Sequence, residues 1–394
     1  MTGLLECSDT YWKFAGQCTE CGHCTGACDS LTQAEMTLGQ IAKAMIEAER
    51  TAETREDLRM NIAMNPQFVQ AVRGCFFCTS CKNTCFAHND VCDLIYHARV
   101  DFQNLDLIAR GDWSSVLVDE EWDIFTAYRA IHGIGYDDLI RHDDGDCEVA
   151  FFPGCSLAAY GPELMREIFE TVEALGGKTT LVDHCCGSPL KSAGFFDRAE
   201  ALCDRISDEV AASGAKRVVC VCPGCANAMA STLGRRGVEV EVETLSSYLL
   251  AHGFEPKRKE LPQTPLYLSK SCQDRDGSYL RDTCELLGVA PDVPKIFHGC
   301  CGAGGGVSAF DPNRQAQQAD SKMSFAEDGS TVVTMCPTCT YTYAYRLMSA
   351  PRDLANKHYT ELLFENQFDW DLVFYQLNSM WSGEYGPWLA SVLG

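Results

Sequence analysis

Two periods of apolar residues run along the chain. Near the start, Leu38, Ile41, Met45 and Ile46 recur at three- and four-residue spacing, and Val91, Leu94, Ile95 and Ala98 do the same. That period predicts two amphipathic helices. After residue 148 the pattern changes. Short apolar runs at 149–152, 180–182 and 218–221 read as buried strands. Helical stretches separate them. Pro162 opens one, with Leu164, Ile168, Val172 and Leu175 on one face, and Gly176-Gly177 closes it. A second covers about 198–210. The alternation then recurs, with strands at 266–268, 295–297 and 332–335 and a helix near 280–287. Strands alternating with helices predict parallel sheets.

The cysteines follow this rhythm. Cys155, the pair Cys185-Cys186 before Gly187, and Cys222-Pro223-Gly224-Cys225 each stand just past a predicted strand. Cys272, Cys300-Cys301 and Cys336-Pro337-Thr338-Cys339 do so again. From Cys155 to Cys272 is 117 residues, from Cys185 to Cys300 is 115, and from Cys222 to Cys336 is 114. Cysteines in register at such a period mark an internal repeat. In open parallel sheets, ligands bind outside the carboxyl ends of the strands. Five thiols therefore converge on one rim in each copy. Neighbouring cysteines bridge each other poorly, so the Gly-rich loop Gly299–Gly306 reads as a metal-ligating turn whose glycines let backbone approach a bulky ligand. A cubane [4Fe–4S] cluster takes four cysteines. The fifth is a spare buried thiol, part of an unusual cluster, or a redox-active thiol beside one. Cys7, Cys92, Cys147, Cys203, Cys220 and Cys284 stand outside these groups and suit plain packing.

The front of the chain carries a different spacing. Cys18, Cys21, Cys24 and Cys28 follow the order Cys-x-x-Cys-x-x-Cys-x-x-x-Cys, and Cys75, Cys78, Cys81 and Cys85 repeat it. This is the spacing of a two-cluster bacterial ferredoxin, whose fourth cysteine serves the other cluster. It assigns Cys18, Cys21, Cys24 and Cys85 to one cubane [4Fe–4S] cluster, and Cys75, Cys78, Cys81 and Cys28 to a second. Asp29 and Phe86 replace the usual proline. Zinc and disulfides are the competing readings, but zinc knuckles pair two Cys-x-x-Cys units across a longer loop.

The expected fold is α+β or α/β. A helical two-cluster ferredoxin domain (1–105) and a helical connector (106–147) come first. Two repeated, Rossmann-like cysteine-rich halves (148–262 and 263–350) follow, related by pseudo-twofold symmetry, and an acidic, aromatic segment (351–394) ends the chain. In the connector, Trp113, Trp122, Phe125 and Tyr128 read as packing, and Asp143-Asp144-Gly145-Asp146 as a polar boundary. In the last segment Phe368, Trp370, Phe374, Tyr375, Trp381, Tyr385 and Trp388 suit a helix packed on the core, or a docking surface for another subunit.

Composition narrows the functions. The formal charge of −23 argues against nucleic acid. No apolar run reaches 18 residues, and no secretory signal is visible. A cytoplasmic protein with 24 cysteines is expected to use them for metal or catalysis. His184 and His298 precede the double cysteines and read as packed or cluster-bonded rings, with proton donation as the alternative. Lys191 and Lys270 could face an anionic substrate, though solvated lysine is the default. Gly302–Gly306 lacks the strand-to-helix context of a dinucleotide fingerprint.

The repeated Cys…Cys-Cys-Gly…Cys-x-x-Cys set resembles the cysteine-rich domain of heterodisulfide reductases. Cys18–Cys28 and Cys75–Cys85 resemble the ferredoxin subunit of the same enzymes. Both in one chain resemble the fused catalytic subunit of the membrane-associated form. The resemblance rests on these eighteen cysteines and covers nearly the whole chain. It implies that Cys155, Cys185, Cys186, Cys222 and Cys225 hold one noncubane [4Fe–4S] cluster. Cys272, Cys300, Cys301, Cys336 and Cys339 would hold another. The family cleaves the disulfide of coenzyme M and coenzyme B between two such clusters. Implied partners are a flavoprotein, a hydrogenase, or a membrane cytochrome or quinone-reactive subunit that brings the chain to a membrane. A second reading keeps only electron transfer, as in the iron–sulfur subunits of anaerobic glycerol-3-phosphate dehydrogenase and glycolate oxidase. A third is a relay in a sulfite-reducing membrane complex.

Overall fold

A computed structural model describes residues 3–89, 91–108, 123–258, 260–290, 295–383 and 386–387. Trp113, Trp122, Tyr385, Trp388 and the side chain of Trp381 lie outside the described residues. The chain forms two compact units. The first takes Met1–Ser115 with Pro189–Phe196 and Gly302–Gln315. The second takes Val116–Ser188, Asp197–Cys301 and Ala316–Gly394.

The first unit is built on helices. Leu38–Arg50 begins at a capping box, Thr37 accepting from Gln40 N–H while the Gln40 side chain accepts from Thr37 N–H. Arg55–Ala63 begins at the same device between Thr54 and Asp57. Asn65 caps Pro66–Arg73, and Pro66 takes the first turn, where its missing N–H costs nothing. The apolar stripes end up as their period requires. Leu38, Ile41 and Met45 are buried, with Ile46 half-buried, and Val91, Leu94, Ile95 and Ala98 line the inner face of Val91–Asn104. Leu38–Arg50 packs on Ser8–Gln17 and on Val91–Asn104. Truncating Ile41, which has no exposed surface, would cost about 2–5 kcal/mol.

Among the described residues of the second unit, eight strands form two parallel sheets. The strands are β1 Val149–Phe152, β2 Thr179–Leu181, β3 Arg217–Cys220 and β4 Glu241–Thr244, then β5 Leu266–Ser269, β6 Lys295–Phe297, β7 Ser330–Thr334 and β8 Leu354–His358. One sheet has the order β2-β1-β3-β4 and the other β6-β5-β7-β8, the same order twice. The mixed architecture is the one expected. β4 and β8 were not in the pattern. β4 reads Glu-Val-Glu-Thr at a sheet edge, where one face meets water, so it carries no apolar run. β8 lies beyond residue 350, in the acidic and aromatic stretch, and supplies the second sheet's other edge.

Alternate residues of β1 face opposite ways, as pleating demands. Val149 and Phe151 join a core with Ile168, Phe169, Val172, Leu268, Val333 and Tyr359, so both sheets share it. Ala150 and Phe152 join a second cluster with Val182, Val218 and Cys220. Cys147, Cys220 and Cys284 are buried and pack as small apolar residues. Tyr128 is buried against Tyr160, with ring centroids 5.2 Å apart, which is the packing role expected. The helix Trp370–Ser382 also packs on the core. Val373 and Met380 are buried there, and Trp370 stacks on Phe368 at 4.7 Å. No helix among the described residues is long and apolar enough to cross a membrane.

Candidate metal centres

The two cysteine motifs of the first unit fold as the same turn. Glu20 and Phe77, each two residues after the first cysteine, have φ of 53° and 50°. Gly22 and Thr79, two residues further, have φ of 80° and 63°. Left-handed non-glycine residues cost of order 1–3 kcal/mol and cluster at functional sites. The gain is visible here: the turn aims Glu20 N–H at Cys18 Sγ and Phe77 N–H at Cys75 Sγ, both at 3.4 Å. Backbone N–H donors of this kind favour thiolate. Gly39 is also required. A Cβ there would stand 2.6 Å from Cys18 Sγ.

The fold gathers these thiols in two groups. Cys18, Cys21 and Cys24 line one pocket together with Cys85 from the other motif. Burial raises the Cys18 thiol, and Cys24 and Cys85 add to it. Cys28 is raised by burial and then by Cys78. Burial pushes Cys75 up to about 12, with Cys28 a further cause. Cys81 lies higher still, through burial and then Cys75, with Cys28 and Cys78 among the rest. So Cys28 keeps company with the second motif and Cys85 with the first. Cys21 is exposed, and hydrogen bonds from the His23 backbone and side chain lower its thiol to about 7.

In the second unit every repeated cysteine follows a parallel strand's carboxyl end. Cys155 comes after β1, Cys185-Cys186 after β2 and Cys222 after β3. Cys272, Cys300-Cys301 and Cys336 follow β5, β6 and β7. Cys222 and Cys336 are the N-caps of the helices Pro223–Arg236 and Pro337–Ser349. The positive end of a helix favours a thiolate there. Gly154, with φ of 78°, lets the β1 loop pass Cys225, since a Cβ would sit 3.1 Å from its Sγ.

Eight of the repeated thiols are linked in one network. Cys155 bonds Cys185, which bonds Cys186, which bonds Cys225. Cys225 bonds Cys222. Cys222 Sγ lies 3.6 Å from Cys336 Sγ in the other copy. Cys336 bonds Cys339, whose Sγ is 3.0 Å from Cys301 Sγ. Two members are held well below the usual thiol range. Cys186 is lowered by Cys185 and Cys225, and Cys336 by Cys222 and Cys339. Their neighbours rise instead: Cys185 through Cys155 and Cys186, Cys339 through Cys301 and Cys336. Protons shared among packed thiols leave few thiolates, whereas a bound metal deprotonates every ligand. A buried, all-sulfur donor set suits iron–sulfur clusters or zinc. Structural zinc takes four ligands, and each copy brings five.

Other charged groups stand beside these sites. His184 Nε2 bonds Glu209 Oε1 at 2.7 Å, and His298 is exposed. Lys191 lies over the Tyr96 and Phe196 rings of the first unit. The Lys270 carbonyl accepts from Lys322 at 3.4 Å. Sequence reasoning missed three residues. Asp123 caps the helix Ile124–Ile131 and brings a carboxylate oxygen within 4.8 Å of the Cys155 and Cys185 sulfurs. Arg129 forks onto Asp183, two residues before Cys185, at 2.5 and 2.6 Å. Lys322 is buried and also donates to the Gly299 carbonyl.

The family of CCG cysteine-rich domains matches residues 149–230 and again 268–343. The chain carries two CCG cysteine-rich domains. It is similar to one of the subunits of the fumarate reductase (CoM/CoB) of Methanothermobacter marburgensis, 25% identical over 52% of this chain and 43% of that one. It is similar to one of the subunits of the anaerobic glycerol-3-phosphate dehydrogenase of Escherichia coli, 27% identical over 49% and 53%. It is also similar to one of the subunits of the dihydromethanophenazine:CoB–CoM heterodisulfide reductase of Methanosarcina acetivorans, 27% identical over 48% and 52%. The chain thus spans about half the length of the curated relatives it matches. No solved structure matches it. In its likeness, then, the chain stands with subunits of a reductase and of a dehydrogenase.

Proposed function

We propose that this chain reduces a disulfide at its two five-cysteine sites, with electrons delivered through the first unit. The observation that carries the reading is the Cys222–Cys336 contact at 3.6 Å, which joins the two sites into one thiol network. Cys155, Cys185, Cys186, Cys222 and Cys225 hold one noncubane [4Fe–4S] cluster, and Cys272, Cys300, Cys301, Cys336 and Cys339 the other. Cys18, Cys21, Cys24 and Cys85 hold one cubane cluster, and Cys75, Cys78, Cys81 and Cys28 the second. Bound there, the paired clusters supply one electron each, which matches the two electrons needed to part a disulfide into two thiolates. The chain's own residues set the stage. Ser156 and Thr338 bond at 3.0 Å and Tyr279 Oη donates to the Val221 carbonyl at 2.7 Å, so hydroxyls pin the two strand-end rims together. Tyr343 packs, fully buried, behind Cys301 and Cys339 and keeps water from them. His184, committed to Glu209, orients its loop rather than reaching a leaving thiolate.

The substrate class is a low-molecular-weight or protein disulfide. Relatives named as CoB–CoM heterodisulfide reductase subunits support that class. The partner is another redox subunit, and any membrane attachment of this cytoplasmic chain comes through it. The match to a glycerol-3-phosphate dehydrogenase component favours a second reading, electron transfer from a flavoprotein toward a quinone-reactive subunit. Anaerobic purification with iron analysis and EPR tests the cluster count, expected at about sixteen iron per chain. Cys186→Ser and Cys301→Ser should each abolish reduction of a disulfide panel while the first unit still takes up electrons. If both variants keep that activity, the disulfide reading fails. If activity needs one copy only, the other is a relay.

A further inference from the structure

The helix Trp370–Ser382 has two faces. The inner one, with Val373 and Met380, packs on the core, and Asp369 caps the first turn by accepting from Leu372 N–H. The outer one is apolar as well. Leu372 is 49% exposed, and Tyr375, three residues on, is 73% exposed. The helix Pro337–Ser349 packs beside it and carries a second stripe at four- and three-residue spacing: half-buried Tyr341, then Tyr345 and Met348. Tyr345 is 46% exposed and Met348 54%. Phe374 joins the stripes, its ring centroid 5.7 Å from that of Tyr341 and 5.8 Å from that of Tyr345.

A single exposed apolar side chain needs no explanation, but a joined set marks an interaction site. The rings behind this one are already fixed. Tyr341 stacks on Tyr160 at 5.2 Å and on Tyr345 at 6.3 Å, and Trp370 stacks on Phe374 at 5.9 Å. Anchors held this way lose little side-chain entropy when a partner binds. Charge then says what covers them. From His358 to Gly394 the chain has no Lys or Arg. Asp369 and Asp371 are exposed, and no cation pairs with either among the described residues. Asp371 stands one turn before Tyr375 on the same face. The cations nearest in sequence are engaged elsewhere. Arg346 forks onto Asp320 at 2.7 Å, Arg352 pairs with Asp328 at 2.8 Å and Lys357 with Glu361 at 3.3 Å. Anionic lipid would be repelled by such a rim. A second copy would bring the same carboxylates with it, on a chain of charge −23.

We infer that this face docks a partner protein subunit whose own contact surface is apolar at its centre and rimmed with Lys or Arg. The inference deepens the partner named under Proposed function and rests on that reading only for the partner's redox role. Tyr345 and Tyr375 are the central anchors. Asp369 and Asp371 fix orientation and speed the encounter. The partner thereby sits on the helix that Cys336 caps and that carries Cys339. Tyr345 is six residues past Cys339, ~9 Å along the helix axis.

The test is photo-cross-linking of the full chain in the cells that make it. A benzophenone amino acid replaces Tyr375 or, as control, Trp12, an exposed apolar residue of the first unit. Tyr375 should give one adduct with a different protein, in a yield at least about tenfold above Trp12. Mass spectrometry of its cross-linked peptide should find Lys or Arg beside apolar residues. With that protein purified, the double variant Leu372→Ser/Tyr375→Ser should weaken binding at least about tenfold. Asp371→Lys should slow association at low salt more than at high salt. These side chains are exposed, so the urea midpoint of the free chain should stay at the wild-type value. An adduct of twice the chain's mass, an adduct to lipid, equal yields from both positions, or unchanged binding by the double variant overturns the inference. An adduct to a protein without flavin, haem or cluster leaves the docking face standing and removes the redox partner of the Proposed function. A redox protein captured at Trp12 and not at Tyr375 overturns this inference alone.

Discussion

The loop that reaches Cys185 and the loop that reaches Cys300 do the same job by different means. In the first copy, opposite charges hold it: Arg129 forks onto Asp183, and His184 bonds Glu209. The Asp123 carboxylate stands beside Cys155 and Cys185 as well. In the second copy a single buried ammonium does the work, Lys322 donating to the carbonyls of Gly299 and Lys270. Past the first double cysteine and the short helix Ser188–Ala193, the helix Phe196–Ser213 turns Cys203, Ile206 and Ser207 inward where the later helix Pro312–Met323 brings Lys322. Equal cysteine sets therefore sit in unequal fields, ion pairs and the Asp123 carboxylate beside the first and a buried cation behind the second. Equal spacing of ligands does not make two sites equivalent, since charge and burial tune a cluster as much as its ligands do.

The sharpest contrast in stability lies at the ends of the fourth strands. Thr244 pairs with Cys220 and His358 with Thr334 at matching positions of the two sheets. Thr244 caps the next helix. His358 is fully buried, its Nδ1 2.7 Å from Thr360 Oγ1, and burial pushes its imidazole down to about 4. The folded chain keeps it neutral where the unfolded chain protonates below about 6.5. Stability present above that pH is then lost as pH falls toward 4, about 3 kcal/mol in all. His358→Thr should flatten the curve, read as urea midpoints of the anaerobic protein between pH 7 and 5.5. An unchanged slope would mean that the ring titrates normally.

Lys322→Met should cost about 2 kcal/mol, because two part-buried carbonyls lose a charged donor. Arg129→Met strands Asp183 and should cost a similar amount or slightly less, as that pair is partly solvated. The two are separable by EPR. Lys322→Met should disturb the second copy's cluster signal and Arg129→Met the first copy's. Crossed or shared effects would show that the two sites behave as one.

The smallest effect belongs to Asp123→Asn. Asparagine caps as well as aspartate, so stability should move by only a few tenths of a kcal/mol. The potential of the first copy's cluster should still rise, since a nearby negative charge has gone. A potential that stays put would reduce Asp123 to a cap.

Much of this was legible in the residue order. The strand-end placement of every repeated cysteine followed from apolar runs of the right length, and β1 and β6 appear at their predicted limits. The helix Pro162–Gly176 follows from proline at its start and glycine at its end. These are local matters, decided by neighbours within a turn or a strand. β4 and β8 escaped because Glu-Val-Glu-Thr and Leu-Ala-Asn-Lys-His hold no apolar run, which half-exposed edge positions allow.

The company each thiol keeps was settled by the packed chain. Asp123 and Arg129 reach the first copy from the preceding stretch, and Lys322 reaches Gly299 from 23 residues on. Gly304 and Gly305 are glycines because the backbone of Cys75 and Phe76, more than 200 residues earlier, lies against them. Spacing along a chain decides which atoms can ligate together. Which charges are sealed beside them depends on long-range packing, and desolvation gives those charges their strength only once the chain has closed.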